Sequence, residues 1–249
     1  MKHINIVIPM AGLGSRFANA GFTTPKPFIK VGKAQMPMIE CVLQNLSTPH
    51  ARFYLVALKS HLSQEKTLID KLTHKYNAKF IGIENLTQGA ACSVLYASEF
   101  IDNDTPLIIA NSDQIVDINI SDFCAECFKR RLDGQILCFV DKTCNPKWSF
   151  VRVDSRLGFV VEVREKEPIS EFATSGIYLF TRGADFVKYA KEMIMQNERV
   201  NGEFYVAPTY NYAIKNGAKI GIYEISRESM HGLGTPQDLS EYERWLNDR

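Results

Sequence analysis

The 249-residue sequence contains no apolar run that approaches the roughly 18–20 residues of a transmembrane helix. The apolar run near the amino end, residues 4–10, is also too short for the core of a signal peptide with its cleavage site. A net charge of only +1 gives no overall field that would attract nucleic acid or a membrane surface. We therefore expect a cytoplasmic protein with neither kind of partner, whose function depends on local sites.

The sequence also lacks the cysteine pattern of a disulfide framework or a zinc site. Its six cysteines are scattered, and the C-x-x-C pair of Cys124 and Cys127 has neither a second pair nor a histidine cluster beside it. The pair lies within a helical pattern over residues 122–132, so we expect it to pack in the core. Scattered thiols of this kind are typical of a reducing compartment.

Short apolar runs alternate with helical patterns through the first half of the chain. This alternation is typical of a mostly parallel sheet covered by helices on both faces. We therefore expect an α/β fold of the Rossmann-like, three-layer α/β/α type with a mixed, mostly parallel central sheet. Strands are predicted at residues 4–9, 53–58, 78–83 and 106–110, and helices at residues 38–46, 64–76 and 89–100.

The second half is less regular but contains no repeat, linker or low-complexity tract. We therefore expect a single domain over residues 1–249. Strands are predicted at residues 135–140, 149–153, 159–163, 176–180 and 219–225, and helices at residues 183–195, 205–216 and 236–247.

The most specific feature is a loop of small residues after the first predicted strand. Its members are Ala11, Gly12, Leu13, Gly14 and Ser15. Glycines let the backbone turn sharply and approach a bound group, and successive N–H groups in such a turn form a concave anion site. Arg16 follows at once, and Lys26 stands ten residues later in Thr24-Pro25-Lys26-Pro27. N–H donors, a forked guanidinium and a compact ammonium together suit a polyphosphate.

Two common phosphate-binding patterns do not fit this loop. Phe17 stands where the dinucleotide fingerprint G-x-G-x-x-G has its third glycine, and no Gly-Lys-Ser/Thr follows, as a P-loop requires. The pattern G-x-G-[ST]-R followed by P-K-P instead resembles the nucleotidyltransferases that join an NTP to a sugar 1-phosphate. For the two glycines alone, a tight turn with solvated charges is an equally good interpretation.

The resemblance extends over essentially the whole chain and implies a reaction. A phosphorylated acceptor attacks the α-phosphate of an NTP, and the products are pyrophosphate and an NDP-sugar for surface polysaccharide. CTP, UTP or dTTP are the favoured nucleotides, Mg²⁺ is the cofactor, and a homodimer is compatible with the family. Residues of about 1–135 would bind the nucleotide, and residues of about 136–249 would bind the acceptor.

The resemblance also assigns roles within the first motif. Lys26 would hold the α-phosphate and Arg16 the β- and γ-phosphates, as the catalytic pair, while the backbone of residues 11–15 would cradle the triphosphate. No nucleophilic side chain is required, because positioning and charge stabilisation carry phosphoryl transfer.

A second motif precedes the helix predicted at residues 89–100. Gln88 offers an amide that can pair with the edge of a base, Gly89 lets the backbone come close, and Ala90 and Ala91 leave room for a flat ring. The family carries a Gln-Gly-small segment here that contacts the nucleobase. Taken alone, the segment also fits an ordinary loop before a helix.

Asp113 follows the apolar strand predicted at residues 106–110. A carboxylate at that end of a strand, beside a phosphate-binding loop, suits Mg²⁺. The family usually has Gly-Asp here, and Ser112 takes the place of the glycine. The resemblance implies that Ser112 contacts the nucleotide and Gln114 the acceptor. A turn or helix-cap aspartate is the alternative interpretation of Asp113.

Three later segments resemble the acceptor site of the family. Glu165 and Lys166, in a Glu-Lys-x-Pro segment, would contact the acceptor and its phosphate, and Gly176 would let the backbone meet the sugar. Glu203 would bind acceptor hydroxyls or amines. A solvated charged loop at residues 162–167 and a helix-capping role for Glu203 are the alternatives.

One departure from the family concerns the metal site. Many relatives have Asp-x-Gly-Thr before the last helix, and that aspartate is their second metal ligand, but here Gly232 occupies its position. Either Asp113 holds the ion with phosphates and water, or another residue replaces the missing ligand. His231 is the neighbouring candidate for a phosphate contact, and a plain loop histidine is the alternative.

Other functions remain open at this point. A cytidylyltransferase that acts on a non-sugar phosphate, such as phosphocholine or a phosphorylated amino acid, keeps the chemistry and changes the acceptor. A glycosyltransferase commonly has Asp-x-Asp, whereas this chain has Asn111-Ser112-Asp113. A non-catalytic nucleotide-binding module would bind NTP without turnover.

Overall fold

The computed structural model describes residues 3–248. Its strands are β1 (Ile4–Pro9), β2 (Lys30–Val31), β3 (Met36–Pro37), β4 (Ala51–Leu58), β5 (Ala78–Ile83), β6 (Leu107–Ala110), β7 (Gln114–Val116), β8 (Gly134–Val140), β9 (Ser149–Val153), β10 (Val160–Glu165), β11 (Phe172–Phe180), β12 (Ile220–Ile225) and β13 (Met230–Gly232). Its α-helices are α1 (Ser15–Asn19), α2 (Met38–Leu46), α3 (Lys59–Gln64), α4 (Lys66–Tyr76), α5 (Ala90–Leu95), α6 (Ser98–Ile101), α7 (Ile120–Lys129), α8 (Gly183–Met195), α9 (Thr209–Lys215) and α10 (Pro236–Asn247).

A nine-stranded mixed sheet runs through both halves of the chain. Its main path is β10-β9-β11-β6-β1-β4-β5, and β8 joins β11 to β12. β1 pairs in parallel with β4 and β6, and β4 with β5, whereas β11 runs antiparallel to β6 and β8. The predicted α/β class with its mixed central sheet is confirmed.

Helices cover both faces of this sheet. Ile6 and Ile8 of β1 point into one core cluster and Val7 into the other, because side chains alternate along a strand. The first cluster includes residues of α2, α4, α7 and α10, and the second includes residues of α5, α6, α8 and α9. The three-layer arrangement predicted from the sequence therefore results from packing on both sheet faces.

Several predicted elements have different bounds in the structure. The helix predicted at residues 64–76 begins with α4 at Lys66, and the one predicted at residues 89–100 is divided into α5 and α6 by a turn. The helix predicted from residue 205 begins only after Pro208, because the residue before a proline disfavours the helical conformation. β11 starts at Phe172, before the predicted residue 176, and its pairing with β8 shifts register between Thr174 and Tyr178.

Cys124 and Cys127 lie on α7 and are buried in the core as free thiols. Burial raises the pKa of each thiol to about 12, which makes both thiols unreactive. The predicted packing role of the pair is confirmed. Among the helices of residues 3–248, none is sufficiently long and apolar to cross a membrane.

The two halves are joined through the backbone next to Gln88. Phe204 N–H donates to the Gln88 carbonyl at 2.8 Å, and Ala91 N–H donates to the Phe204 carbonyl at 3.0 Å. Gly89, with φ 131° and ψ 172°, lies between these bonds, in a region that essentially only glycine adopts. A Cβ at this position would lie 2.4 Å from the Phe204 carbonyl oxygen. Gly89 is therefore needed for the close approach of the two segments.

Gly89→Ala is expected to destabilise the protein by more than about 3 kcal/mol, because the new methyl group collides with backbone atoms. Gly217→Ala is the matched control, since Gly217 also has positive φ (84°) but has no atom within 4 Å of its Cβ position. The control should cost only the strain of positive φ, about 1–2 kcal/mol. Urea unfolding of both variants measures the difference, and equal losses would contradict the packing role of Gly89.

Candidate active site

The candidate site is a cavity of about 840 Å³ at the carboxyl ends of the central strands. Ligands of open α/β sheets bind at this end of the strands. Another cleft, of about 950 Å³, is lined by His3, His50 and Pro106, which precede β1, β4 and β6 at the amino ends. We assign the site to the 840 Å³ cavity because the predicted site residues Arg16, Asp113 and Lys166 line it. Its charged lining residues are Arg16, Asp113, Lys147, Glu165, Lys166, Glu203, Arg227, Glu228, Asp238 and Glu241.

The glycine loop after β1 packs directly against Lys26. Gly14 adopts the left-handed conformation with φ 62° and ψ 35° and precedes α1. A Cβ on Gly14 would lie 2.8 Å from the Cβ of Lys26, so a side chain here would push the lysine away. Phe17, which stands at the third-glycine position of the dinucleotide fingerprint, is buried in the core. A packed aromatic side chain therefore stands where the dinucleotide fingerprint has its third glycine.

Two cations from one segment and a distant carboxylate lie close together beside Gly234. The Lys26 ammonium forms an ion pair with Asp113, and the two side chains are 17% and 20% exposed. The Cβ position of Gly234 lies 3.3 Å from Asp113 Oδ2 and 3.9 Å from an Arg16 guanidinium nitrogen. Gly234 therefore leaves a small space that any side chain would fill. The predicted catalytic residues and the predicted metal ligand lie in one place.

A second carboxylate faces the same space. Asp238 Oδ2 lies 3.6 Å from the Cβ position of Gly234, and the Cβ position of Gly232 lies 3.9 Å from Asp238 Cγ. Thr235 caps α10, since its hydroxyl accepts from the Asp238 N–H at 3.0 Å and donates to Asp238 Oδ2 at 2.7 Å. A side chain at position 232 would therefore start close to the Asp238 carboxylate.

Within residues 3–248 no group of three or more histidine, cysteine, aspartate or glutamate side chains converges on a metal position. The two carboxylates near Gly234 are the hard oxygen donors that Mg²⁺ prefers. Mg²⁺ typically takes one or two carboxylates and completes its shell with water and substrate phosphates. The donor set and the space beside Gly234 therefore fit Mg²⁺.

Helix α5, which follows Gln88, packs against β1, which precedes the glycine loop. Ala11 and Ala91 belong to the same core cluster, and Ala90 lines the cavity. Gln88 itself is exposed at the surface next to the cavity. Ser112 lies in the turn between β6 and β7 and does not line the cavity. Residues 11–15 of the glycine loop also do not line the cavity, whereas Arg16, which follows them, does.

Gly176 makes room for two amides at the bottom of the cavity. A Cβ at this position, where φ is 79°, would lie 2.1 Å from Gln114 Oε1 and 2.3 Å from Asn111 Nδ2. The Asn111 amide donates to Gln114 Oε1 at 3.2 Å, and Asn111 N–H donates to the Gly176 carbonyl at 3.0 Å. Gln114 and Gly176, both predicted to bind the acceptor, are thus in contact.

Lys166 extends from the end of β10 towards Tyr205. Its Nζ donates to Tyr205 Oη at 2.6 Å and lies 4.7 Å from the ring centre. Its backbone has φ 58°, a conformation that is strained for a residue with a side chain and that concentrates at functional sites. Burial raises the pKa of the neighbouring Glu165 carboxyl, against the lowering effect of a hydrogen bond from Ser149.

Glu203 and His231, the other two candidates, have different surroundings. Glu203 lines the cavity, and its carboxylate forms no ion pair with the described residues. The His231 ring lies near the Tyr242 and Trp245 rings, at 5.3 and 4.2 Å, and its Nε2 donates to Asp117 at 3.2 Å. His231 is therefore engaged by the protein itself.

Sequence reasoning missed or underrated three residues of the site. Tyr205 follows Glu203 by two residues without a motif that marks it, yet its hydroxyl accepts a hydrogen bond from Lys166. Asn111 supports Gln114, and nothing in the local pattern indicates this contact. Asp238 had a signal, because Thr-x-x-Asp before an apolar pattern is a capping motif, but its nearness to Asp113 depends on the fold.

Comparison with known proteins gives a family. The Nucleotidyl transferase family model matches residues 6–241 of the chain. The bifunctional protein GlmU of Chelativorans sp. (strain BNC1) is 25% identical over 254 residues, which cover 98% of this chain and 53% of the relative. The chain thus spans about half the length of that curated relative.

Solved structures share the fold over nearly the whole chain. The nucleoside-diphosphate-sugar pyrophosphorylase of Vibrio cholerae RC9 superimposes with a TM-score of 0.78 at 25% identity and covers 96% of this chain and 99% of its own. A putative glucose-1-phosphate thymidylyltransferase of Bacillus anthracis has a TM-score of 0.78 at 20% identity, with coverages of 99% and 96%. The inositol-1-phosphate CTP transferase of T. maritima has a TM-score of 0.74 at 14% identity, also with 99% and 96%. The resemblance carried by the glycine loop is confirmed, and the chain belongs to the nucleotidyl transferase family.

Proposed function

We propose that the protein transfers a nucleotidyl group from an NTP to a sugar 1-phosphate and releases pyrophosphate. The observation that carries the proposal is the convergence of Lys26, Asp113 and Arg16 beside Gly234. A guanidinium, an ammonium and a carboxylate at the end of a backbone loop suit a triphosphate and its counter-ion. Residues 1–249 would act as one domain that makes an NDP-sugar for surface polysaccharide. Because NTPs are held inside cells, the reaction would belong to the cytoplasm.

The proposed chemistry is an in-line displacement at the α-phosphorus. A phosphate oxygen of the acceptor forms the new P–O bond, the bond between the α-phosphorus and the bridging oxygen breaks, and pyrophosphate leaves with that electron pair. Lys26 binds the α-phosphate, whose charge grows in the transition state, and Arg16 binds the departing β- and γ-phosphates. Backbone N–H groups of residues 11–15 hold the triphosphate, so positioning and charge stabilisation supply the rate.

The acceptor would occupy the far side of the cavity. Lys166, which donates to Tyr205 at 2.6 Å, would bind the acceptor phosphate there, and Lys147 and Arg227 are further cations of the cavity lining. Gln114 and Glu165 line the same cavity and present an amide and a carboxyl to acceptor hydroxyls. The residues of about 136–249 thereby supply most of the acceptor contacts, and the residues of about 1–135 most of the nucleotide contacts.

Mg²⁺ would be held by Asp113 together with Asp238, which replaces the carboxylate missing at Gly232. When bound, the ion neutralises phosphate charge in this family of reactions. The support for Asp238 is its position, since its Cγ lies 3.9 Å from the Cβ position of Gly232.

A second candidate acceptor is a phosphorylated amine, as in phosphocholine or a phosphorylated amino acid. The carboxylate of Glu203 forms no ion pair with other described residues, and it lines the cavity together with Trp148 and Tyr205. Carboxylates and aromatic rings together are typical of sites for ammonium groups. CTP would be the matching nucleotide in that case.

Pyrophosphate release tests the function directly. The protein is mixed with Mg²⁺, each of CTP, UTP, dTTP, ATP and GTP, and a panel of sugar 1-phosphates, phosphocholine and phosphorylated amino acids. We expect release that requires both one NTP and one acceptor. NTP binding without release across the whole panel would contradict the transferase and favour a binding module.

Lys26→Ala is expected to lower kcat by at least about a hundredfold, because the α-phosphate loses the cation that stabilises its developing charge. Lys59→Ala is the matched control, since Lys59 also forms an ion pair, but with Glu84 and not with the predicted metal ligand Asp113. Steady-state pyrophosphate release measures both variants. A loss smaller than about tenfold for Lys26→Ala would contradict its catalytic role.

Asp238→Asn is expected to weaken Mn²⁺ binding in the presence of NTP by about tenfold, because the site loses one of two anionic ligands. The asparagine oxygen can still accept from Thr235, so the cap of α10 is retained. Electron paramagnetic resonance of free Mn²⁺ measures the dissociation constant, with Glu241→Gln as the control on the same cavity. Unchanged Mn²⁺ affinity would show that Asp238 does not replace the missing ligand.

A further inference from the structure

Arg199 has no role in the site described so far, yet four contacts hold its side chain. Nε donates to Asn197 Oδ1 at 2.7 Å, and Nη1 donates to the Gly202 carbonyl at 3.0 Å. The guanidinium carbon lies 4.0 Å from the centre of the Phe204 ring. Nη2 donates to the side-chain oxygen of Gln88, which is 111 residues earlier in the chain. An exposed arginine fixed in this way is positioned rather than free in solvent.

The contact with Arg199 fixes the orientation of the Gln88 amide. A guanidinium has only N–H donors, so Oε1 of Gln88 must face it. Nε2 then points away from Arg199, and it makes no hydrogen bond to the protein within the described part of the chain. A ligand on the side of Gln88 opposite to Arg199 would therefore meet the Nε2 donor and not the Oε1 acceptor.

The backbone holds the two segments in register. Phe204, on whose ring Arg199 stacks, exchanges hydrogen bonds with Gln88 and Ala91 at 2.8 and 3.0 Å. The absence of a side chain on Gly89 permits this approach. The backbone pairing of Phe204 with the Gln88 segment therefore holds Arg199 next to Gln88.

We propose that Arg199 is a positioning residue that determines base specificity, because it holds the Gln88 amide so that Nε2 donates to an acceptor atom on the edge of the base. This rests on the proposed function and on the expectation, from the family resemblance of the Gln88 segment, that Gln88 contacts the base of the bound NTP. Without Arg199 the amide can rotate and offer either end. A fixed amide leaves a base unpaired if that base presents a donor to Nε2, whereas a rotating amide can pair with a donor or an acceptor. Loss of Arg199 therefore removes the discrimination between these two kinds of base.

The experiment measures kcat and KM for CTP, UTP, dTTP, ATP and GTP with the acceptor found in the pyrophosphate assay. Arg199→Met keeps apolar contact with Phe204 but removes the donor to Gln88. Arg199→Lys keeps a donor, and Gln88→Glu keeps the acceptor for Arg199 but removes the donor to the base. Arg182→Met is the control, because Arg182 is an exposed arginine that donates to Asp104 at 2.8 Å and lies outside the cavity.

We expect Arg199→Met to reduce the ratio of kcat/KM between the preferred and the next NTP by about tenfold, through KM for the preferred NTP. Values of kcat and of KM for the acceptor should stay within about twofold of the wild type. Arg199→Lys should restore much of the ratio, and Gln88→Glu should lose it. The selectivity ratio of the double variant Arg199→Met/Gln88→Glu should be no lower than that of either single variant, because both substitutions act on the same contact, the one between Gln88 Nε2 and the base.

Two results would overturn the proposal. One is an unchanged ratio in Arg199→Met. The other is a uniform fall in kcat for all five nucleotides together with a lower melting temperature, which indicates a structural role only. If the wild type releases no pyrophosphate, the same ratio is measured as dissociation constants by calorimetry. Loss of selectivity in Arg199→Met then supports the role of Arg199 although the transferase fails, and absence of NTP binding overturns both.

Discussion

The ammonium of Lys26 and the carboxylate of Asp113 are in contact although 87 residues separate them. The side chains are 17% and 20% exposed, and the pair joins the segment after the glycine loop to the turn that follows β6. Such a partly buried pair contributes little to stability, on the order of 1 kcal/mol. Its larger effect is geometric, because it keeps a cation and an anion beside the loop before any phosphate arrives. Positioning of this kind is what phosphoryl transfer requires of a protein.

The glycines of the site have steric rather than flexible roles. Gly14 admits the Cβ of Lys26, Gly176 admits Asn111 and Gln114, and Gly234 leaves the space between Asp113 and Asp238. A methyl group at Gly14 or Gly176 would collide with a neighbouring side chain, and a methyl group at Gly234 would fill the space beside Asp113. Close backbone approach therefore defines the site as much as the charged groups do.

The sequence predicts the parts of this site that are local in the chain. The strand, the glycine loop, Arg16 and Lys26 lie within 23 residues, from Ile4 to Lys26, and their order alone indicates a polyphosphate site. Parallel pairing of β1 and β6 then places Asp113 beside the loop, as the alternation of strands and helices predicts. The helix bounds were less predictable, because a turn divides α5 from α6 and Pro208 delays α9.

The positions of Asp238 and Arg199, both in the second half, could not be predicted from the sequence. Asp238 reaches the site because β13 pairs with β7 and brings the segment after it beside Asp113. Arg199 reaches Gln88 through the pairing of Phe204 with the loop around Gly89. Neither pairing has a periodicity or motif in the chain, since both depend on how loops of the two halves pack.

The central claim is that the glycine loop, Lys26 and Asp113 form the triphosphate site. A crystal structure with Mg²⁺ and an NTP analogue that has a methylene bridge between the α- and β-phosphates tests it most directly. The account predicts the triphosphate on the backbone of residues 11–15, the α-phosphate within hydrogen-bond distance of Lys26 Nζ, and the metal ion on Asp113. A triphosphate bound away from this loop, with Lys26 and Asp113 still paired only to each other, would contradict it.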